Sequence, residues 1–429
     1  MHNNYMANLY TILLYLIQPL ICLRLWIRGR KNPAYRKRWA ERYGYCYGKV
    51  KPYGIVLHCV SVGEIIAAVP LINALRCYYP ILPITVTTMT PTGSENTKAK
   101  FGNNVYHVYL PYDIPCAIKR FLDIIKPKLM IIMETELWPN IIRILHQRHI
   151  PLIIANARLS ERSAKSYKKI GNFMCTLLQH ITLVAAQSTE DGERFLSLGL
   201  KESHLAITGN IKFDISLTSQ LTIAALTLRR QWAPDRPVWI ASSTHKGEEN
   251  IVLNVHRRLL KYFPKLLLIL VPRHAERFQD VCNLVSKLGL MFTLRSSGDI
   301  PSSTTKVVIG NTMGELMLLY GIADLAFIGG SLVAHGGHNP LEAAVHTIPI
   351  LTGPHTWNFK DICNKLQKAQ GLINVEDEFS LEKEIISLLN SKYARENYGH
   401  NAVKVLHQNQ GALNDLIYLL KPYLPLRSK

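Results

Sequence analysis

Acidic residues are scarce in this chain of 429 residues: 30 Asp and Glu stand against 50 Lys and Arg, a formal net charge of +20. That imbalance favours anionic partners such as anionic lipid, phosphorylated metabolites or nucleic acid. Nothing resembles a zinc finger, and no basic run is interleaved with aromatics, so nucleic acid is not expected as a partner. The eight cysteines include no CxxC pair, which excludes a disulfide framework and fits buried thiols in a reducing compartment. HExxH is absent and no metal is expected. GxGxxG and GxxxxGK[ST] are absent too, as are low-complexity tracts and short-period repeats. A hydrophobic content of 48% still supplies cores for two domains.

Charge is also missing from the N-terminus. Met1 to Leu23 contains no Asp, Glu, Lys or Arg, whereas Arg24, Arg28, Arg30, Lys31, Arg36, Lys37 and Arg38 follow closely. The apolar run barely reaches the ~20 residues needed to span a bilayer, and Gln18-Pro19 interrupts it. A cleaved signal peptide fits poorly, because the charges follow the run and no small-residue cleavage site appears. Residues 1–30 are therefore expected to form a membrane-anchor helix, with the N-terminus outside and the basic flank and main body in the cytoplasm. The basic cluster would lie against anionic headgroups. A helix lying in the interface is the alternative.

Downstream, short apolar runs alternate with helical patterns. Ile55–Val60, Ile84–Thr88, Leu129–Met133, Leu152–Ala155 and Leu183–Ala186 read as buried strands. Helix candidates such as Ile65–Tyr79, Ala117–Ile125 and Gly192–Leu198 separate them. The alternation restarts at Val238–Ser242, Leu266–Val271, Met291–Thr293, Lys306–Ile309, Leu325–Ile328 and Ile348–Leu351, with a clear helix over Gly247–Tyr262. This is the pattern of parallel sheets covered on both faces. Four segments are expected: an anchor at 1–30, a first α/β domain at 31–215, a linker at 216–237, and a second α/β domain at 238–429 ending in polar helices.

Several strand ends carry chemistry. Phe327–Ala344 reads as strand, glycine loop and helix start. Asn339 is placed to N-cap, Pro340 to open the helix and Glu342 to stand three residues on. Glycines allow close backbone approach, and a helix N-terminus offers N–H groups to an anion, so the loop suits a phosphorylated ligand. Ser61 and Glu64 form a capping-box pattern, which leaves Glu64 as either a cap or a working carboxylate. Glu134 and Glu136 directly follow a buried strand; one can cap the next helix and the other asks for a reason. Lys212 lies between apolar neighbours in Gly209–Asp214. Ser242–Glu249, Pro272-Arg273-His274 and Gly310–Leu316 are three more strand-end turns in the second domain. Their convergence points to a nucleotide site, with Arg273 suited to phosphate.

In order, Ser61-Val62-Gly63-Glu64, Met133–Asn140, Asn156-Ala157-Arg158-Leu159-Ser160, Gly209–Asp214, Ser243-Thr244-His245, Pro272-Arg273-His274 and His335–Glu342 resemble the Kdo (3-deoxy-D-manno-octulosonic acid) transferase family, glycosyltransferase family 30. The resemblance runs from the N-terminus to about residue 360. Cys59 beside His58 departs from it, where a small residue is expected. The resemblance implies a GT-B fold, with two Rossmann-like doubly wound domains facing a cleft. It implies CMP-Kdo as donor substrate, the tetraacyl lipid A precursor as acceptor, and attachment to anionic lipids of the bacterial inner membrane on its cytoplasmic side, with no cofactor or metal. By resemblance Glu64 is the general base, and Glu134 and Lys212 stabilise the transition state. Pro272, Arg273, Gly314, Glu315, Leu316, Asn339, Pro340, Leu341 and Glu342 match the CMP-binding segments. A different nucleotide-sugar enzyme of the same fold, or an idle lipid-A-binding protein, are the competing readings.

Overall fold

The computed structural model describes residues 2–424. They form two compact units: Met1–Asp214 together with Gln410–Lys429, and Ile215–Asn409. Unit 1 contains β1 (Ile55–His58), β2 (Ile84–Thr88), β3 (Tyr106–Tyr109), β4 (Leu129–Met133), β5 (Leu152–Ala157), β6 (Leu183–Ala186) and β7 (Leu205–Ile207) in the order β3-β2-β1-β4-β5-β6-β7. Unit 2 contains β8 (Val238–Thr244), β9 (Leu267–Pro272), β10 (Phe292–Leu294), β11 (Val307–Ile309), β12 (Leu325–Ile328), β13 (Ile350–Thr352) and β14 (Leu372–Asn374) in the order β10-β11-β9-β8-β12-β13-β14. Every pairing is parallel. Helices cover both faces, so the central strands are buried at every position, which explains their unbroken apolar runs. These are the expected α/β, doubly wound halves.

The first expected strand stops two residues early. Beyond His58 the backbone turns, and the Val60 N–H donates to the Glu64 side chain rather than to a neighbouring strand. The helix after it starts at Val62 and carries Pro70 inside it. The edge strands β3, β7 and β14 were not expected; each is only three or four residues long and partly exposed.

Two expected boundaries are corrected. Residues 216–237 are not a free linker: helix Ser219–Trp232 buries Ala225, Leu228 and Trp232, and Arg229 donates to the Ile322 carbonyl at 2.6 Å and to Asp324. The last helix, Ala412–Leu420, belongs to unit 1 rather than to the second domain. Leu416, Ile417 and Leu420 join the core beneath helix Val62–Tyr78, so this helix has an apolar face where a polar one was expected. Asp214 fixes it, accepting from the N–H groups of Gly411 at 2.7 Å and Leu413 at 2.6 Å.

The N-terminal helix, His2–Lys31, runs through Pro19 without a break. Among the described residues it is the one helix long and apolar enough to cross a membrane.

Candidate functional site

In a doubly wound sheet, ligands bind beyond the carboxyl ends of the strands where the strand order reverses. In unit 1 the reversal lies between β1 and β4. Glu64 follows β1 and Glu134 follows β4. Glu64 completes the capping box: its N–H donates to Ser61 Oγ at 3.1 Å, and its carboxylate accepts from Ser61 N at 3.1 Å and Val60 N at 2.8 Å. Each oxygen thus accepts one backbone N–H and keeps a further lone pair. Glu64 is 8% exposed. Burial, reinforced by the Glu134 charge, holds its carboxyl above the usual 4.5 despite those donors. Capping the helix thus leaves the Glu64 carboxylate with acceptor capacity to spare.

Glu134 adopts φ = +58°, a left-handed conformation that costs on the order of 1–3 kcal/mol for a non-glycine residue. Its carboxylate meets Lys212 Nζ at 3.3 Å. Neither acid of the Glu134-Thr135-Glu136 segment caps the following helix, Pro139–Gln147. Asp113 does so, accepting from Asn140 N at 2.9 Å and Ile141 N at 2.8 Å. Glu136 instead accepts from the Trp138 indole at 2.7 Å, and burial raises its pKa. The Cys59 thiol is pushed well up, by burial first and then by the Glu64 and Glu134 charges. A neutral thiol therefore stands where the family pattern led us to expect a small residue.

Lys212 comes from beyond β7, three strands from β4. A polar relay holds its turn in place. Asn156, buried and at φ = +53°, accepts from Ile211 N at 3.0 Å. Gln187 donates to the Asn156 carbonyl at 2.8 Å and accepts from Asn210 at 2.9 Å. Asn210 in turn accepts from Lys212 N at 3.0 Å. Sequence reasoning named the Asn156 motif without giving Asn156 a task; a polar residue immediately after an apolar run was the available signal.

In unit 2 the reversal lies between β8 and β12. The turns after the four neighbouring strands β11, β9, β8 and β12 bring Gly314–Leu316, Arg273, His245 and the glycine loop to one edge. Gly329 packs so closely on β8 that a Cβ would stand 2.6 Å from the Ser243 carbonyl oxygen. At the start of this loop the backbone N–H groups are already committed. Those of Gly330, Ser331 and Leu332 donate to buried Glu248 at 2.7, 3.1 and 3.0 Å. His245 N makes a fourth such bond at 3.2 Å. A resident carboxylate already fills the nest. Glu248 was quoted from the sequence with no role assigned.

The helix after the loop is only one turn, Leu341–Ala344, and Asn339 Oδ1 accepts from Leu341 N at 3.2 Å. Pro340 and Leu341 are buried, while Asn339 and Glu342 are half-buried. Glu315 binds Arg295 through both oxygens, at 3.0 and 2.8 Å, and that pairing lowers its pKa. Pro272 is buried and Arg273 half-buried directly after β9. His245 and His338 approach Nε2 to Nε2 at 2.9 Å, and His335 stacks on His245 at 4.2 Å. Burial pushes His245 to about 4 and His338 to about 3, so both are neutral at pH 7. Among the described residues no three His, Cys, Asp or Glu are arranged to hold a metal.

A family described as 3-deoxy-D-manno-octulosonic-acid transferase (kdotransferase) matches residues 37–215. The 3-deoxy-D-manno-octulosonic acid transferase of Haemophilus influenzae is 51% identical over 419 residues, covering 97% of this chain and 98% of that protein. The chain belongs to the Kdo transferase family. The enzyme of the same name from Bordetella pertussis is 33% identical over 86% of this chain and 88% of its own. Kdo transfer, a glycosyltransferase activity of lipopolysaccharide biosynthesis, is thus the activity of this chain. The UDP-GlcNAc 2-epimerase structure from Neisseria meningitidis superposes with a TM-score of 0.57 at 15% identity, covering 86% of this chain and 100% of that one. That likeness, like the sheet orders, shows the GT-B architecture.

Proposed function

We propose that this Kdo transferase takes Kdo from CMP-Kdo and places it on the tetraacyl lipid A precursor, with inversion, at the cytoplasmic face of the inner membrane. The observation that carries this reading is Glu64: a carboxylate fixed by two backbone N–H groups, with raised proton affinity, at the reversal point of its sheet. In the proposed step an acceptor hydroxyl gives its proton to Glu64 while its oxygen attacks the anomeric carbon. The bond to the CMP phosphate breaks, and its electron pair leaves with CMP. Glu134 faces the charge that develops on carbon, and Lys212 offsets the anionic groups around it. Pro272, Arg273, Gly314, Glu315, Leu316, Asn339, Pro340, Leu341 and Glu342 are proposed to bind CMP. The donor brings its own activated bond, so the proposed step calls for no cofactor or metal. The acceptor's phosphates and acyl chains suit the +20 charge and the apolar N-terminal helix.

The test is incubation of purified protein and lipid acceptor with CMP-Kdo or, separately, UDP-sugars. CMP release with a Kdo-sized increase in lipid mass is expected from the first alone; transfer from UDP-sugars would contradict the donor assignment. Arg273→Ala is expected to raise the KM for CMP-Kdo by about 10- to 150-fold, the loss of one charge-assisted hydrogen bond, with little change in acceptor KM. Unchanged donor kinetics would remove Arg273 from the site.

The pH dependence has a definite sign. A base works only when deprotonated, and burial moves the Glu64 pKa upward from 4.5. The acid limb of kcat/KM, which reports the free enzyme, is therefore expected above pH 4.5. A limb at or below that value would assign the base elsewhere.

A further inference from the structure

The N-terminal helix is long and apolar enough to cross a bilayer, yet it is tied to the body of unit 1. Its polar side chains are committed to the body of unit 1 along most of its length. Tyr10 donates to Asp113 at 2.9 Å and Thr11 to Asn140 at 3.1 Å. Further along, Gln18 accepts from Tyr43 at 3.2 Å, and Cys22 lies 3.2 Å from the same hydroxyl. Ala7 and Leu25, near the two ends, are buried. At 1.5 Å per residue, Ala7 to Leu25 spans about 27 Å, nearly the full ~30 Å hydrocarbon thickness. A transmembrane placement would carry Asp113 into that layer. Its carboxylate also holds the first N–H groups of helix Pro139–Gln147, so it cannot be released without uncapping that helix.

The opposite face is bare. At 100° per residue, exposed Leu9, Ile12, Leu13, Leu16, Ile17 and Leu20 fall within about 140° of the helix surface, and the stripe continues to Ile27. The docked positions Ala7, Tyr10, Thr11, Gln18, Cys22 and Leu25 lie on the other side. Where the stripe ends, half-exposed Trp26 is flanked by Arg30 at 5.1 Å and Arg36 at 4.8 Å. Tryptophan with arginine suits the headgroup level of an anionic leaflet. An apolar stripe along the whole length with cations at one end describes a helix lying in the interface.

We infer that the N-terminal helix lies in the plane of an anionic bilayer surface, docked on unit 1, so that the N-terminus stays on the same side as the body of the protein. This rests on the reading that the enzyme works at a membrane. It replaces the expected orientation with the N-terminus outside.

The test uses the full chain with a protease-cleavable tag ahead of Met1, in inverted and right-side-out inner-membrane vesicles, with detergent-opened vesicles as reference. The tag is expected to be cut in inverted vesicles and spared in right-side-out ones; the reverse pattern overturns the inference. In parallel, Leu13→Glu, Leu16→Glu and Leu20→Glu together should weaken binding to phosphatidylethanolamine–phosphatidylglycerol vesicles at least tenfold while the melting temperature stays put, because all three side chains are exposed. Vesicle binding as tight as wild type would remove the stripe from the lipid contact. A wild-type protein that binds no vesicles would instead sink the membrane reading itself.

Discussion

Glu64→Gln is expected to lower kcat by about 10²–10⁴-fold, the usual cost of losing a general base, while CMP affinity stays near wild type. The structure adds a second effect. Both carboxylate oxygens accept a backbone N–H, from Ser61 and from Val60. An amide has one acceptor oxygen, so one of those donors would face an NH₂ group. One unsatisfied buried donor costs about 1–3 kcal/mol, and a drop in melting temperature should accompany the loss of rate. The two effects separate the two roles: wild-type kcat in a destabilised variant would leave Glu64 as a helix cap alone and shift attention to Glu134 or Glu136. Turnover, CMP titration and melting on one preparation give the answer.

Glu248→Gln should harm stability more than any other single exchange considered. Four N–H groups converge on its two oxygens. The amide can serve two of them at best. Two unsatisfied buried donors at about 1–3 kcal/mol each give about 2–6 kcal/mol, or roughly 5–20 °C for a unit of this size. CMP binding should fall with it, because the loop that Glu248 holds runs on to Asn339 and Glu342. In Glu248→Ala, added acetate should recover part of the melting temperature by refilling the emptied nest. An unchanged melting temperature in Glu248→Gln would mean that the four bonds are not what holds the loop.

The fold was legible wherever burial was symmetrical. Strands β4 and β6 are covered on both faces, and their apolar runs alone give their limits. Tyr106–Tyr109 escaped because Tyr106 and His107, on an edge strand, are only half-buried. At the site, the residue types and strand ends could be read, but not the pairings. Glu134 and Lys212 are 78 residues apart in sequence, and they meet only through the relay of Asn156, Gln187 and Asn210, which no local spacing encodes. Glu248 was missed for a related reason. A Glu in the first turn after a strand looks like a dipole-favoured cap, whereas three of its four partners lie more than 80 residues downstream. For the N-terminal helix, composition shows length and hydropathy, but not that Tyr10, Thr11 and Gln18 meet partners in the body of unit 1.

The clasp between Asp214 and the helix Ala412–Leu420 also dictates an order of assembly. The chain leaves unit 1 at Asp214, builds the whole of unit 2, and returns at Gln410. On the ribosome, where domains generally fold as units and N-terminal ones first, unit 1 must wait with its core open. Leu416, Ile417 and Leu420, which seal the layer under helix Val62–Tyr78, are synthesised only after the whole of unit 2. A chain clipped near residue 409 would retain all of unit 2 yet leave the helix bearing Glu64 uncovered. The closing helix thus makes completion of unit 1 depend on a segment that follows the whole of unit 2 in the chain.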